Sequence, residues 1–259
     1  RPHHGMPQRA KGAYQSRLPV TSDDEMGHAA GRFNQMVEGL SEREYLRDTF
    51  GKYVSTTVAA AILDNRHRAG RVADTTAEAT LMFTDIEGFT GLSERLTPTE
   101  VAAVLNAYLG AVVPVIQRHG GLVNSFIGDG LFATFNLPLP CEKHAAAAIA
   151  AAIEIQQLLD KGPLAGHVAL RTRIGVNTGT VIGVTIGTEN RLNYTLLGDA
   201  VNVASRVEQL NKRFGTRILA TESTVLAAGS SDCERLGTVE VRGHEDNIVV
   251  YSVGQPHDA

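Results

Sequence analysis

The chain is poor in cysteine: Cys141 and Cys233 stand alone and far apart, so no disulfide framework and no zinc-type thiol cluster is implied, and a reducing, cytoplasmic setting is predicted. A run of about 20 apolar residues is also missing, and no signal peptide opens the chain, so the sequence itself is not expected to cross a membrane or to be secreted. It lacks a basic stripe. With 24 Lys+Arg against 28 Asp+Glu, a net charge of -4 spread along the chain argues against a nucleic-acid surface, so any nucleotide bound is expected to be small. Tandem repeats and low-complexity segments are absent. What is present is ordinary globular composition: 259 residues, 43% hydrophobic, 20% charged, with 26 glycines. That length suits one or two domains with a core that needs no staples.

Residues 1–11, with His3 and His4 beside Gly5 and Met6, read as a disordered expression-tag remnant. From Gly12 onwards, Asp23-Asp24-Glu25 precedes Met26, Ala30, Phe33, Val37 and Leu40 at helical spacing, one amphipathic helix whose simplest role is packing on its own domain. The stretch Glu44 to Ser55 and a short apolar helix from Val58 to Leu63 predict a coupling segment. Asp64 to Glu78 is charged, carries Gly70 and shows no period, so a loop or short hairpin is expected there. The predicted organisation is therefore 12–40, 41–78 and a domain at 79–259.

Within that domain Thr80-Leu81-Met82-Phe83-Thr84 is an apolar strand ending at an acid, followed by a turn at Glu87 to Thr90. Thr97-Pro98-Thr99-Glu100 supplies a helix cap, a first-turn proline and a capping glutamate. The stripe Val101, Leu105, Tyr108, Val112 and Val115 carries that helix to Arg118, and Gly120-Gly121 stops it. Leu122 to Phe126 and Leu131 to Phe135 form a hairpin around Ile127-Gly128-Asp129-Gly130. A second helix spans His144 to Leu159, its alanines reading as close packing and helix propensity. Further strands are predicted at Leu170 to Val176, Asn193 to Leu197, Ile218 to Ala220 and Ile248 to Val253, with a helix from Ala200 to Lys212. This order predicts an α+β fold with a ferredoxin-like, split βαβ core, helices lying on one face of a largely antiparallel sheet.

Asp85 and Asp129 each end or cap a strand beside glycine-bearing turns, and the βα-plus-hairpin order would bring them together. Adjacent carboxylates repel unless a cation lies between them, and Mg²⁺ takes one or two carboxylates while leaving positions for water and phosphate. The alternative is two turn acids. Backbone amides at Glu87 to Thr90 could cradle phosphates. Asn202 and Arg206 lie four residues apart on one helix face, where an amide and a guanidinium could hold a ribose and stabilise charge on phosphorus. Taken without context, such a pair is more often a solvated face than a site.

Phe83-Thr84-Asp85-Ile86-Glu87-Gly88-Phe89-Thr90, Phe126-Ile127-Gly128-Asp129-Gly130, Arg173 to Gly179 and Gly198 to Arg206 together resemble the class III nucleotide cyclase catalytic domain across about Ala79 to Val253. Asp24-Glu25-Met26-Gly27 and Phe33-Asn34-Gln35-Met36 resemble the connector and second helix of a HAMP signalling module. The resemblance implies that a nucleoside triphosphate is closed to a 3′,5′-cyclic monophosphate with release of pyrophosphate, served by two Mg²⁺ or Mn²⁺ ions per site. It implies that Asp85, Asp129 and the Ile86 carbonyl hold metal, that Arg173 and Arg242 contact phosphates, that Phe89 and Thr90 line the phosphate turn, that Asn202 orients the ribose and that Arg206 serves the transition state. It further implies a head-to-tail homodimer with shared sites, the acids from one chain and Thr195, Asn202, Arg206 and Arg242 from the other. A HAMP module implies membrane anchoring through a region preceding this chain, with the catalytic part in the cytoplasm.

The base-reading pair departs from the pattern. Adenine-specific members carry lysine where this chain has Ser125, with Asp or Thr at the position of Thr195, and guanine-specific members carry glutamate at the Ser125 position. Serine offers a hydrogen bond but neither the reach nor the charge of lysine. ATP is the expected substrate. A guanylate or dual-specificity cyclase, and a catalytically inert cyclase-homology relay, are the alternatives; the joint presence of Asp85, Asp129, Asn202 and Arg206 speaks against the relay.

Overall fold

The computed structural model describes residues 18–19, 25–53, 74–164, 168–188, 191–230, 232–240 and 247–254. The expected tag at 1–11, the helix at Val58 to Leu63, the first part of the linker at 64–73 and Arg242 lie outside the described residues. The chain divides into two compact units, 1–59 and 60–259.

In the first unit a single helix, α1 (Glu25–Tyr53), runs for 29 residues, through Ser41 where a change of segment was predicted. The extended residue Leu18 is tied to it from both sides. Its N–H donates to Asn34 Oδ1 at 2.8 Å, and Asn34 Nδ2 donates back to its carbonyl at 2.9 Å. Val37 is buried, whereas Phe33 and Leu40 of the same apolar set are exposed, as is Met36.

In the second unit the chain order is β1 (Thr75–Ile86), α2 (Phe89–Ser93), α3 (Pro98–Arg118), β2 (Gly121–Ile127), β3 (Gly130–Phe135), α4 (His144–Leu159), β4 (Thr172–Thr188), β5 (Arg191–Leu197), α5 (Asp199–Phe214), β6 (Ile218–Thr221), α6 (Glu222–Ala228), β7 (Cys233–Val239) and β8 (Ile248–Val253). One sheet holds all eight strands in the order β2-β3-β1-β4-β6-β8-β7, with β5 pairing to the far part of β4. Every pairing is antiparallel except β4 with β6. The predicted α3 starts with the expected capping box, Thr97 with Glu100, and Pro98 in its first turn. By length and composition α3 could cross a membrane, but Tyr108, Val112, Val115 and Ile116 on it are completely buried in the domain core.

Period-two alternation in β1 sorts the two faces. Met82 and Ile86 join the main core with α3 and α4, while Ala79 and Leu81 join Phe132, Val181 and Ala204 of α5. The two helices of the split βαβ core thus share one face, and α5 covers the other. It can approach so closely because β4 has Gly175 beneath it: a Cβ there would lie 2.2 Å from the Glu208 nitrogen.

Candidate active site

Three elements converge at the end of β1. Asp85 sits there in direct register with Arg173 of β4, and the β2–β3 turn lays Asp129 alongside. Only glycine permits that turn, since a Cβ on Gly130 would lie 1.8 Å from the Thr84 carbonyl oxygen. Asp129 Oδ2 accepts the Ile86 N–H at 3.1 Å. The Asp129 carboxyl is held above its ordinary range, first by burial and then by the charge of Asp85. Two neighbouring carboxylates, Asp85 and Asp129, with main chain of Ile86 against Asp129, form a hard-oxygen donor set that fits a divalent cation of the Mg²⁺ type.

The charge of Asp85 is met here by Arg173, whose Nη2 bonds Oδ2. On its other side Arg173 Nε faces Glu208 Oε1 of α5 at 3.6 Å. Glu208 is pushed up to about 7, by burial first and then by Asp85 and Asp129, with Arg173 opposing. Sequence reading passed over it. The signal was there: Ala204, Glu208 and Asn211 recur at helical spacing on the face of α5 that is buried.

A hydroxyl hub lies under the acids. Thr172 Oγ1 donates to the Asp85 carbonyl at 2.9 Å and meets the Tyr108 hydroxyl at 2.8 Å. Tyr108 also donates to Thr84 Oγ1 at 3.2 Å, which accepts the Leu131 N–H as well. Because Thr172 spends its proton on Asp85, the single Tyr108 proton is shared between two acceptors. Burial pushes the Tyr108 hydroxyl up to about 12, so it stays protonated and the hub stays neutral.

The other predicted residues stand elsewhere. Ser125 is exposed on β2, just past a register shift that begins at Val123. Thr195 is half-buried on β5, opposite Val184. Asn202 is exposed and Arg206 half-buried one turn further along α5; Arg206 Nη1 is buried without a hydrogen-bond partner. Phe89 packs against the main core at the start of α2, and Thr90 is exposed beside it. Among the described residues no hydrogen bond or ion pair joins the acids to Ser125, Thr195, Asn202 or Arg206. A cavity of about 420 Å³ lies between α5 and the start of α6, lined by Asn177, Thr180, Asp199 and Glu222 among others, and neither acid borders it. Residues two apart on a helix point to opposite sides, so α5 turns Glu208 towards the acids of its own chain and Arg206 away from them.

Comparison with known proteins settles what this arrangement belongs to. Residues 72–255 match the family described as the adenylate and guanylate cyclase catalytic domain, and residues 7–42 match the HAMP domain. The chain belongs to the adenylate and guanylate cyclase catalytic domain family. An adenylate cyclase of Rhizobium meliloti (strain 1021) is 37% identical over 210 residues, 79% of this chain and 31% of that protein. An uncharacterised protein of Mycobacterium tuberculosis is 37% identical over 236 residues, 89% of this chain and 40% of that protein. This chain therefore spans between about a third and two fifths of those relatives. Among solved structures, a bacterial light-regulated adenylyl cyclase superposes with a TM-score of 0.74 at 27% identity, covering 85% of this chain and 64% of that one. The guanylyl cyclase Cya2 superposes at 0.62 with 33% identity, covering 71% and 96%. Cyclase domains of this family generally use divalent metal ions, and a HAMP domain marks a signalling protein of the kind typical of membrane-associated receptors.

Proposed function

We propose that this cyclase domain converts ATP to 3′,5′-cyclic AMP and pyrophosphate at two equivalent sites, each shared by the chains of a head-to-tail homodimer. The observation that carries the reading is the convergence of Asp85, Asp129 and Arg173 at one end of β1, with Arg206 across α5 from Glu208 and no bond among the described residues joining Asn202 or Arg206 to the acids. In the reaction the ribose 3′-oxygen forms a bond to the α-phosphorus, the bond to the β-phosphate oxygen breaks, and the 3′-hydroxyl proton is released. Asp85, Asp129 and the Ile86 carbonyl would hold two Mg²⁺ or Mn²⁺ ions, which when bound supply a more acidic 3′-hydroxyl and charge neutralisation on the triphosphate. Arg173 and Arg242 bind phosphate oxygens, with Phe89 and Thr90 shaping the adjoining turn. Asn202 of the other chain fixes the ribose, and Arg206, with its unpartnered buried Nη1, meets the charge that grows on the α-phosphate. Ser125 and Thr195 face the base.

The dimer reading is supported by apolar surface. Phe126 and Ile127 at the β2–β3 tip are 59% and 53% exposed, and Ile186 and Leu197 on the β4–β5 arm are 48% and 49% exposed. Burying what remains exposed of such half-buried side chains between two chains would contribute roughly 1 kcal/mol each. In the same reading the protein is anchored to a membrane outside this chain and the cyclase domain lies in the cytoplasm, which the HAMP match supports.

The test is turnover of the purified chain with ATP and with GTP, each with Mg²⁺ and with Mn²⁺. Cyclic AMP is the expected main product. Predominant cyclic GMP would establish the guanylate reading, for which the 33% identity to the guanylyl cyclase Cya2 speaks. No product from a dimer under any condition would leave an inert relay.

A further inference from the structure

The side chain of Arg173 is held between two carboxylates from different elements, Asp85 of β1 and Glu208 of α5, and the two contacts are unequal. Towards Asp85 it makes a hydrogen bond. Towards Glu208 it makes none: Arg173 Nε and Glu208 Oε1 are both buried, both without a hydrogen-bond partner, and 3.6 Å apart. A separation of about 2.9 Å would join them. Leaving opposite charges buried and unbonded at such short range is costly, unless another state of the site brings them together.

The two carboxylates also differ in freedom. Asp85 is at a strand end and its side chain is 34% exposed. Glu208 is fixed from below: Gly175 leaves its backbone nitrogen no room to approach the sheet further, and Asn211 Nδ2 donates both to the Ile174 carbonyl at 3.0 Å and to the Glu208 carbonyl at 2.9 Å. Any cation held by Asp85 competes with Arg173 for the same oxygens. Once Asp85 is so engaged, Arg173 retains one carboxylate, and the main chain that carries it is held in place.

We propose that Glu208 is a positioning residue: when Asp85 is engaged by cation and substrate, Glu208 takes the Arg173 Nε in a hydrogen bond and so aims both Nη groups at the triphosphate. Arg173 is thereby handed from one carboxylate to another, and its planar fork is oriented from the edge that the phosphate does not use. This rests on the reading of Asp85 and Arg173 given above. A core ion pair that only fastens α5 to the sheet would predict lost stability with nucleotide affinity unchanged.

The experiment measures the Kd of 3′-deoxy-ATP, which lacks the attacking hydroxyl, on the full chain with Mn²⁺, together with KM and kcat for ATP and the Tm. Glu208→Gln keeps the shape and removes the charge. Kd and KM should each rise about tenfold, kcat should stay within about threefold, and Tm should hardly change. Glu208→Asp, which restores the charge one methylene short, should lie between wild type and Glu208→Gln, and it serves if the glutamine variant does not fold. In an Arg173→Ala background, Glu208→Gln should add nothing further to Kd. Unchanged Kd with a lowered Tm overturns the proposal, and so do effects of the two substitutions that multiply. A wild-type chain that binds the analogue, responds to Glu208→Gln and yet forms no cyclic product removes the cyclase reading and keeps the positioning role. One that binds no analogue removes both.

Discussion

In the proposed reading Ser125 faces the base of the nucleotide, and its exposure on β2 leaves space for a longer side chain. Ser125→Lys should therefore raise the ATP/GTP ratio of kcat/KM by about 1–3 kcal/mol, the worth of one charged-group hydrogen bond. An unchanged ratio at undiminished turnover would show that position 125 does not read the base. Tyr108 acts from below the acids. Removing its hydroxyl in Tyr108→Phe leaves Thr172 Oγ1 and Thr84 Oγ1 without their buried donor, at an expected cost of about 1–3 kcal/mol in denaturant unfolding. His144 gives a pH dependence. Burial lowers its pKa, against the smaller opposing effect of Glu78, while its Nδ1 meets Thr80 Oγ1 at 2.8 Å. The unfolded chain then binds this proton more readily than the folded one, so stability is complete above the ordinary value of 6.5 and declines as pH falls through the lowered one. Melting at about pH 7.5 and about pH 5.5 should show a smaller difference in His144→Gln than in wild type.

At the scale of elements, Gly175→Ala tests the contact that sets α5 on β4. The added methyl meets backbone at the Glu208 nitrogen, which no side-chain rotation relieves, so a loss of about 1–3 kcal/mol or more is expected in chemical unfolding. The same contact shows what the sequence made legible. Elements with a strong period and chemical punctuation, such as α3 with its capping box and α4 from His144 to Leu159, are found where the pattern put them. Those without it escaped: β4 continues to Thr188 past Val176 through Gly179, Gly183 and Gly187, residues that weaken a strand signal, while α2, α6 and β7 are short. The buried face of α3 includes Val104 and Ile116, beside the predicted stripe, because it packs on a twisted sheet rather than along a straight seam. For the site, acids at strand ends were readable because strand ends are punctuated by glycine. The hydroxyl of Tyr108 was not, because a tyrosine in an apolar stripe acquires meaning only from partners on other elements; helical spacing puts Glu208 on the buried face of α5, but its role comes only from Arg173 on β4.

For the whole molecule the decisive question is whether one chain can work alone. Asp85 and Asp129 belong to one group of residues, Asn202 is exposed on α5 and Arg206 lies across that helix from Glu208, and no bond among the described residues connects the two sets. On the dimer reading, Asp85→Ala and Arg206→Ala homodimers should each be inactive, for different reasons: every site of the first lacks a metal acid and every site of the second lacks the transition-state arginine. Mixed chains behave otherwise. In a heterodimer one site takes its acids from the Asp85→Ala chain and its arginine from the Arg206→Ala chain, and so carries both lesions. The other site takes intact acids from the second chain and an intact arginine from the first. Random exchange of equal amounts gives half heterodimers with one working site of two, so activity should recover to about a quarter of wild type, provided the intact site turns over independently. Subunit exchange is followed separately by energy transfer between labelled chains. Confirmed exchange with no recovery would place each complete site within one chain, and Arg206 would then have to turn about α5 to reach the acids of its own chain.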